Sequence, residues 1–398
     1  MPFVKETVEM KREQFVQEVL AKKKSKSALC REYQISRPTG DLWIARYENG
    51  EGLSDKSKAP FHTANKTPEK TEEKIVNARL KEPALGAKKI RQMLINAGEK
   101  EIPSVSTVNA ILHRNKLISK EASLAATPCK RFEKEVSNMM WQCDFKGNYE
   151  CGDGNRCHPL SIVDDHSRFC ISADAKANEQ YEGTAESFLA AFEMHGLPDV
   201  LLCDNGNPWG ASQSGGVTKF EVWLMELGVL TIHIRPKHPQ TQGKVERFNG
   251  SFKAERLKFR MPDNLADADI QRQEYRNFYN NERPHHALNL DVPAKHYEPS
   301  KRPFTSKIDD WDYGEGYETR IIKKTGYLTY GGQGYFLGEA YRQKTIAIKP
   351  SSVDGYLNLY FRQFKIGSIN LHENSISSRK IYLIDNDPRS VVEDFRKS

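Results

Sequence analysis

At 398 residues and 45.5 kDa the chain is too long for one typical domain, and roughly 150 residues per domain sets an expectation of two to four. Hydrophobic residues at 38% and aromatics at 10% supply a real core, which excludes a wholly disordered chain, and no run approaches the roughly 18 apolar residues of a membrane span. The formal charge of +7 is uneven, since residues 1–137 carry +9 and the remainder −2, and this points to an anionic polymer held by the front of the molecule.

The opening MPFVKETVEMKREQF has no apolar signal segment, so a soluble, intracellular protein is expected. Seven cysteines, Cys30, Cys129, Cys143, Cys151, Cys157, Cys170 and Cys203, are odd in number and form no CxxC pair. They read as buried reduced thiols, without a disulfide framework.

Residues 1–50 read as a helix-turn-helix module. Phe15, Val16, Val19 and Leu20 have helical spacing within 6–21, SALCREY gives a second helix, and RPTGDLWIARYEN gives a third with Ser36 as cap and Pro38 in its first turn. Gly40 weakens that third helix by about 1 kcal/mol relative to Ala. Residues 51–67 read as a linker, and 68–118 as a second, winged-helix-like module. There Thr67-Pro68-Glu69 starts a helix, and Ile90, Met93, Leu94 and Ala97 form a stripe closed by Gly98. Pro103 and Ser104 open a last helix with Val105, Val108, Ile111 and Leu112 on one face. Its other face offers Ser106, Thr107, Asn109, His113 and Arg114 to base edges or phosphates if this is the groove helix; otherwise it is an ordinary three-helix unit.

After a linker at 119–137, residues 138–300 read as an α/β domain. MMWQCDFKGNYE is a strand carrying Asp144, and HPLSIVDDHSRFCISADA holds two further strands. NEQYEGTAESFLAAFEMHG is a helix ending at Gly196, and DVLLCDNG is a short apolar strand delivering Asp204 at its C-terminal end. A helix through Phe220 to Leu227, the strand VLTIHI and the loop RPKHPQTQGK precede KVERFNGSFKAERLKF, a helix carrying Glu246. Three carboxylates on two strands and a helix suit hard divalent cations, and two such ions promote in-line phosphoryl displacement. Asn249, Gly250 and Lys253 fall on the face of Glu246, so Lys253 is placed to hold a DNA phosphate. Lys244 and Arg247 beside Glu246, with His238 in the preceding loop, are further candidate DNA contacts; His238 otherwise shapes that loop.

In order, WQCDF, RCHPLSIVDDHSRF, LCDNGNPWG, RPKHPQTQGKVERFNGSFKAE and YNNERPHHALNLDVPAKHY resemble the integrase core of bacterial insertion-sequence transposases, nearest insertion-sequence family four-eighty-one and related to family three. The resemblance implies a ribonuclease-H-like core and a DDE triad falling on Asp144, Asp204 and Glu246 as catalytic residues and metal ligands. It also implies the usual basic residue at Lys253, and Mg²⁺, with Mn²⁺ possible, as two ions per site. The implied partners are double-stranded DNA, as transposon ends and target, and further copies of the chain assembled on DNA, in the bacterial cytoplasm and on the nucleoid when bound. A membrane is not among them. The superfamily's usual shorter interval would put the glutamate at Gln240, which is not an acid, so the loop NPWGASQSGG reads as an insertion. No N-terminal His/Cys ligand spacing is found, so a structural zinc is not expected.

Asp164 and Asp165 suit a turn or a salt bridge, Glu255 a solvated charge, and Cys143, Cys151, Cys157 and His158 ordinary packing. From 301 onward a Pro-rich connector leads into β-branched and aromatic runs broken by Thr-Gly, Gly-Gly and Asp354-Gly355, which predict a small β-barrel. The expected whole is a transposase that binds terminal inverted repeats, cuts DNA and transfers the strand. A silent DNA-binding regulator with the same fold and a stand-alone nuclease are the alternatives.

Overall fold

The computed structural model describes residues 7–22, 24–56, 67–118, 133–210, 216–234, 242–377 and 382–383, which divide between two compact units, 1–66 and 67–398. In the first unit three helices form, α1 (Val8–Leu20), α2 (Lys26–Glu32) and α3 (Arg37–Glu48). Each starts at a short hydroxyl residue, Thr7, Ser25 or Ser36, whose side chain accepts an otherwise unpaired N–H of the first turn. Phe15, Val16, Leu29 and Cys30 are buried together, with Tyr33 and Trp43 edge-on to Phe15. The anticipated weakness at Gly40 has a cause, since a Cβ there would lie 3.0 Å from both Cys30 Sγ and Phe15 Cζ. The bare backbone lets α3 approach α1 and α2, and the packing offsets the helix cost. Leu53, expected in a linker, is buried in this core, and Arg12 donates to its carbonyl at 2.7 Å.

The second unit opens with α4 (Glu69–Lys81), α5 (Ala87–Asn96) and α6 (Val105–Arg114), the last capped by Ser104. Ile75, Ile90, Val108, Ile111 and Leu112 share one core with Val245, Phe248, Phe252 and Tyr275 of the α/β domain. Arg256 donates to both carboxylate oxygens of Glu82 at 2.8 and 3.0 Å across that junction. The helical module is therefore packed onto its neighbour as well as onto itself.

The α/β domain contains β1 (Met140–Phe145), β2 (Tyr149–Glu150), β3 (Arg156–Asp164), β4 (Cys170–Lys176), β5 (Val200–Cys203) and β6 (Leu230–His233). Its main sheet runs β4-β3-β1-β5-β6, with β1, β3 and β4 antiparallel and β5 and β6 parallel to β1. The strand runs expected in this domain therefore form one mixed sheet. On one face, α7 (Tyr181–His195) and α8 (Lys219–Glu226) bury Phe188, Phe192, Phe220 and Leu224 against Trp141, Cys143 and Leu201. On the other, α9 (Gly243–Phe252) and α10 (Leu265–Asn281) bury Phe248 and Tyr275 against Val163 and Ala173.

Beyond the connector lie β7 (Glu318–Ile321), β8 (Tyr327–Tyr330), β9 (Gln333–Phe336), β10 (Thr345–Pro350), β11 (Tyr356–Phe361), β12 (Phe364–Asn370), β13 (Ser375–Ser377) and β14 (Tyr382–Leu383). Gly355 takes the positive φ of +75° that the turn between β10 and β11 requires. The barrel expected here is not found among the described residues. They form an open antiparallel sheet, β13-β12-β11-β10-β7 with β14 on β12, and a separate β8-β9 hairpin. Closure is not needed for burial, because Ile346, Leu359 and Phe364 share a core with Leu328 and Tyr335 of the hairpin and with Val222, Met225 and Ile232 of the α/β domain. No described helix is long and apolar enough to cross a membrane. The six described cysteines are free and buried.

Candidate active site

β1 runs through the middle of its sheet, so its side chains alternate between two covered faces. Trp141 and Cys143 pack toward α7 and α8, which leaves Gln142 and Asp144 on the side of α9. β5 lies parallel with Leu202 opposite Gln142, and the same register carried on two residues sets Asp204 beside Asp144. Asp204 accepts the Gly206 N–H at 2.9 Å, and the Asn205 side chain donates to the Ile234 carbonyl at 2.8 Å. His233 braces this strand end, with Nδ1 2.8 Å from the Asp204 carbonyl and Nε2 2.8 Å from the Glu221 carboxylate, which also accepts the Thr218 N–H that starts α8. Both acceptors carry only lone pairs, so both ring nitrogens hold a proton. Burial opposes that charge, but Cys203 and Glu221 raise the His233 pKa to about 11.

Glu246 is positioned by the way α9 begins. Gln142 Oε1 accepts the Lys244 and Val245 N–H groups at 3.2 and 3.3 Å, and Gln242 donates to the Cys143 carbonyl at 3.1 Å. The first-turn N–H groups, which lack helical partners, are thus satisfied by the strand that carries Asp144. One turn on, Asn249 is buried and accepts from Ser161 Oγ at 2.6 Å. Ser161 sits opposite Asp144 in the β1–β3 register and also accepts from the buried guanidinium of Arg272 at 2.8 Å.

The electrostatics follow from this crowding. Burial raises the Asp144 pKa, Lys146 lowers it, and Asp204, Glu246 and Glu179 push it up again, giving about 6. A pocket of carboxylate oxygens under mutual repulsion fits a hard divalent cation. Glu246, one of the charges acting on Asp144, meets the Lys146 ammonium at 3.2 Å. Among the described residues no three acidic, His or Cys side chains close to metal-holding distance. The structure brings the trio to the ends of two neighbouring strands and one helix start, but it does not close a coordination sphere.

Other expected contacts fare differently. Lys253, Gly250 and Arg247 are exposed on or just beyond α9, as are Ser106 and Asn109 on α6, while Thr107 is half-buried and donates its N–H to the Ser104 cap. Arg114, expected on DNA, is half exposed and pairs with both carboxylate oxygens of Glu72. Lys244, likewise expected on DNA, pairs with the buried Asp165, and burial lowers its pKa to about 8. His238 lies outside the described residues. Glu255 corrects the reading of a solvated charge. Glu255 lies within a π-helical turn at Lys253–Leu257, where it is buried, accepts from Arg283 at 2.6 and 2.8 Å, and accepts the Tyr275 hydroxyl at 3.0 Å. A helical wheel with 3.6 residues per turn does not anticipate that bulge. Asp164 and Asp165 are ion-paired or hydrogen-bonded in the turn after β3, as expected. Cys151 and Cys157 pack with Ala268, and His158 lies 2.9 Å from Glu179.

Sequence reasoning missed Lys146. The signal was present, because residues two apart on an extended chain share a face and Lys146 follows Asp144 by two, its N–H continuing the ladder to the Pro159 carbonyl at 3.3 Å.

Comparison with known proteins gives a consistent picture. Residues 135–239 and 227–293 match integrase core domain families, and 317–377 match the C-terminal domain of IS481 family transposases. Residues 11–61 match a helix-turn-helix domain and 39–112 a homeodomain-like domain. The chain is 28% identical over 160 residues, 40% of its length and 54% of the relative's, to an uncharacterized 31.7 kDa protein of insertion element IS407 from Burkholderia multivorans. It is 29% identical over 168 residues, 42% of its length and 46% of the relative's, to an uncharacterized 39.2 kDa protein of insertion element IS476 from Xanthomonas euvesicatoria. The chain thus spans about half the length of the curated relatives it matches. Among solved structures, the HTLV-2 integrase catalytic core domain in complex with magnesium is 20% identical, covering 41% of this chain and 99% of that one with a TM-score of 0.33.

Proposed function

We propose, from an integrase core joined to the C-terminal domain of IS481 family transposases on one chain, that this protein is a DDE transposase that binds terminal inverted repeats and carries out DNA cleavage and strand transfer. The observation that carries the reading is the register of two parallel strands, which sets Asp144 beside Asp204 while Gln142 ties the start of Glu246's helix to the same strand. Asp144, Asp204 and Glu246 would hold two Mg²⁺ ions, or Mn²⁺ in their place, through carboxylate oxygens. Ions bound there supply Lewis acidity to the attacking and leaving oxygens of a phosphoryl displacement.

The chain's own residues do the positioning. His233 and Glu221 hold the strand end at Asp204, and Gln142, Ser161 and Asn249 hold α9. Lys253 and Arg247, exposed on the same helical run, would grip the phosphates flanking the cut. Cleavage joins a water oxygen to phosphorus and frees a 3′-hydroxyl. Strand transfer joins that 3′-oxygen to a target phosphorus and frees another. The basic N-terminal modules, with Ser106, Thr107 and Asn109 on α6, would recognise the ends. Joining two ends in concert requires several copies assembled on double-stranded DNA, in the cytoplasm and on the nucleoid.

The test is the full chain with labelled terminal DNA and Mg²⁺. Joined product is expected; cutting without joining would make it a nuclease, and retention without chemistry a silent regulator. DNA binding should weaken steeply from about 50 to 200 mM salt, and a flat response would overturn the assignment of the basic modules.

A further inference from the structure

Lys146 lies beside the trio, carries the opposite charge and is not used by the mechanism above. It leaves β1 on the face of Asp144, its side chain is about half exposed, and its ammonium meets Glu246 at 3.2 Å. That ion pair spans the two elements, strand and helix, that the trio must join. Nearby lies Asp144, which Glu246, Asp204 and Glu179 each repel when no cation is present.

We infer that Lys146 is a positioning residue that acts as a built-in counter-ion, holding Glu246 in the metal-free protein and competing with a divalent cation for its carboxylate. The inference rests on the reading of Asp144, Asp204 and Glu246 as the metal-holding trio. It accounts for a feature that reading leaves unexplained: the acids are gathered, but Glu246 is engaged elsewhere. A lysine suits the task, since its four-carbon stem lets the ammonium leave without moving the backbone. Metal entry then exchanges one cation for another at Glu246, and the freed ammonium is left at the rim where DNA phosphates would lie.

The experiment is calorimetric titration of the full-length protein with Mn²⁺ alone, in the absence of DNA, for the wild type and for Lys146→Gln, Lys146→Arg and Glu246→Gln. K146Q removes the charge and keeps most of the length, and is expected to bind Mn²⁺ about three- to tenfold more tightly, the lower part of what one neighbouring charge does at a half-exposed site. K146R keeps the charge and should stay within about twofold of wild type. K146Q binding Mn²⁺ equally or more weakly, with circular dichroism unchanged, overturns the counter-ion role, and K146R matching K146Q overturns it as well. E246Q is expected to lose Mn²⁺ binding. E246Q titrating like the wild type instead overturns the metal reading itself, a result that differs from failure of the Lys146 step alone. If neither wild type nor K146Q takes up Mn²⁺, both fall.

Discussion

Two groups of carboxylates sit within a few residues of one another on the same sheet, and their surroundings differ. Asp164 and Asp165 are fully buried and saturated. Asp164 accepts from the Asn138 and Ser167 N–H groups and the Ser167 hydroxyl at 2.6–2.8 Å, and Asp165 accepts from Lys134 N–H and Gln142 at 2.8 and 2.7 Å and pairs with Lys244. Asp144 is nearly as buried, yet among the described residues no hydrogen-bond donor meets its carboxylate, and burial and three repulsive charges act on it against the attraction of Lys146. Both groups look alike in sequence, as acids at a strand end. What separates them is the supply of donors: the lone pairs of Asp164 and Asp165 are filled by their own chain, and among the described residues those of Asp144 are not.

The largest effect expected is on chemistry. Asp204→Asn should reduce DNA cutting by about 10²–10³-fold or more while leaving retention of DNA unchanged in a mobility assay. Cutting at the wild-type rate would break the comparison, because Asp204 would then be as structural as Asp165. Next comes stability. Asp165→Ala removes the buried carboxylate that the Lys244 ammonium and the Gln142 amide meet and should cost roughly 3–5 kcal/mol, read as a large fall in the melting temperature. Asp204→Asn should not lower it.

A third effect is tied to pH. Asp144 has a folded pKa of about 6, above its ordinary value of 3.8, so the folded metal-free chain holds a proton that the unfolded chain releases. Stability contributed by that proton is present below about pH 4 and is lost as pH rises through about 6, roughly 1–3 kcal/mol in all. Asp144→Asn should flatten the slope of denaturant stability over this window, and an unchanged slope would move the cause elsewhere. The smallest effect sharpens the link between scaffold and site. Ser161→Ala removes the hydroxyl shared by Asn249 and Arg272 and should cost about 1 kcal/mol, with a cutting rate reduced less than for any of the trio.

The sequence by itself pointed neither to α10 nor to the order of the sheet, but it did point to the N-terminal helix-turn-helix runs, to capped helix starts and to the strand runs of the α/β domain. These depend on local rules: hydroxyl caps at Ser36 and Ser104, apolar runs such as VLLC, and the Asn-Gly turn after Asp204. Motif order likewise pointed to Asp144, Asp204 and Glu246. Only the tertiary structure decided which charges find a partner within the chain. Arg283 reaches Glu255 across 28 positions, Lys244 reaches Asp165 across 79, and Arg114 reaches Glu72 across 42. The C-terminal strands stayed an open sheet for the same kind of reason, since Val222, Met225 and Ile232 of another domain cover their apolar face. Periodicity records which way a side chain points along its own element, whereas a partner is fixed by the path of the whole chain, and pairing decides whether a charge is left for a ligand.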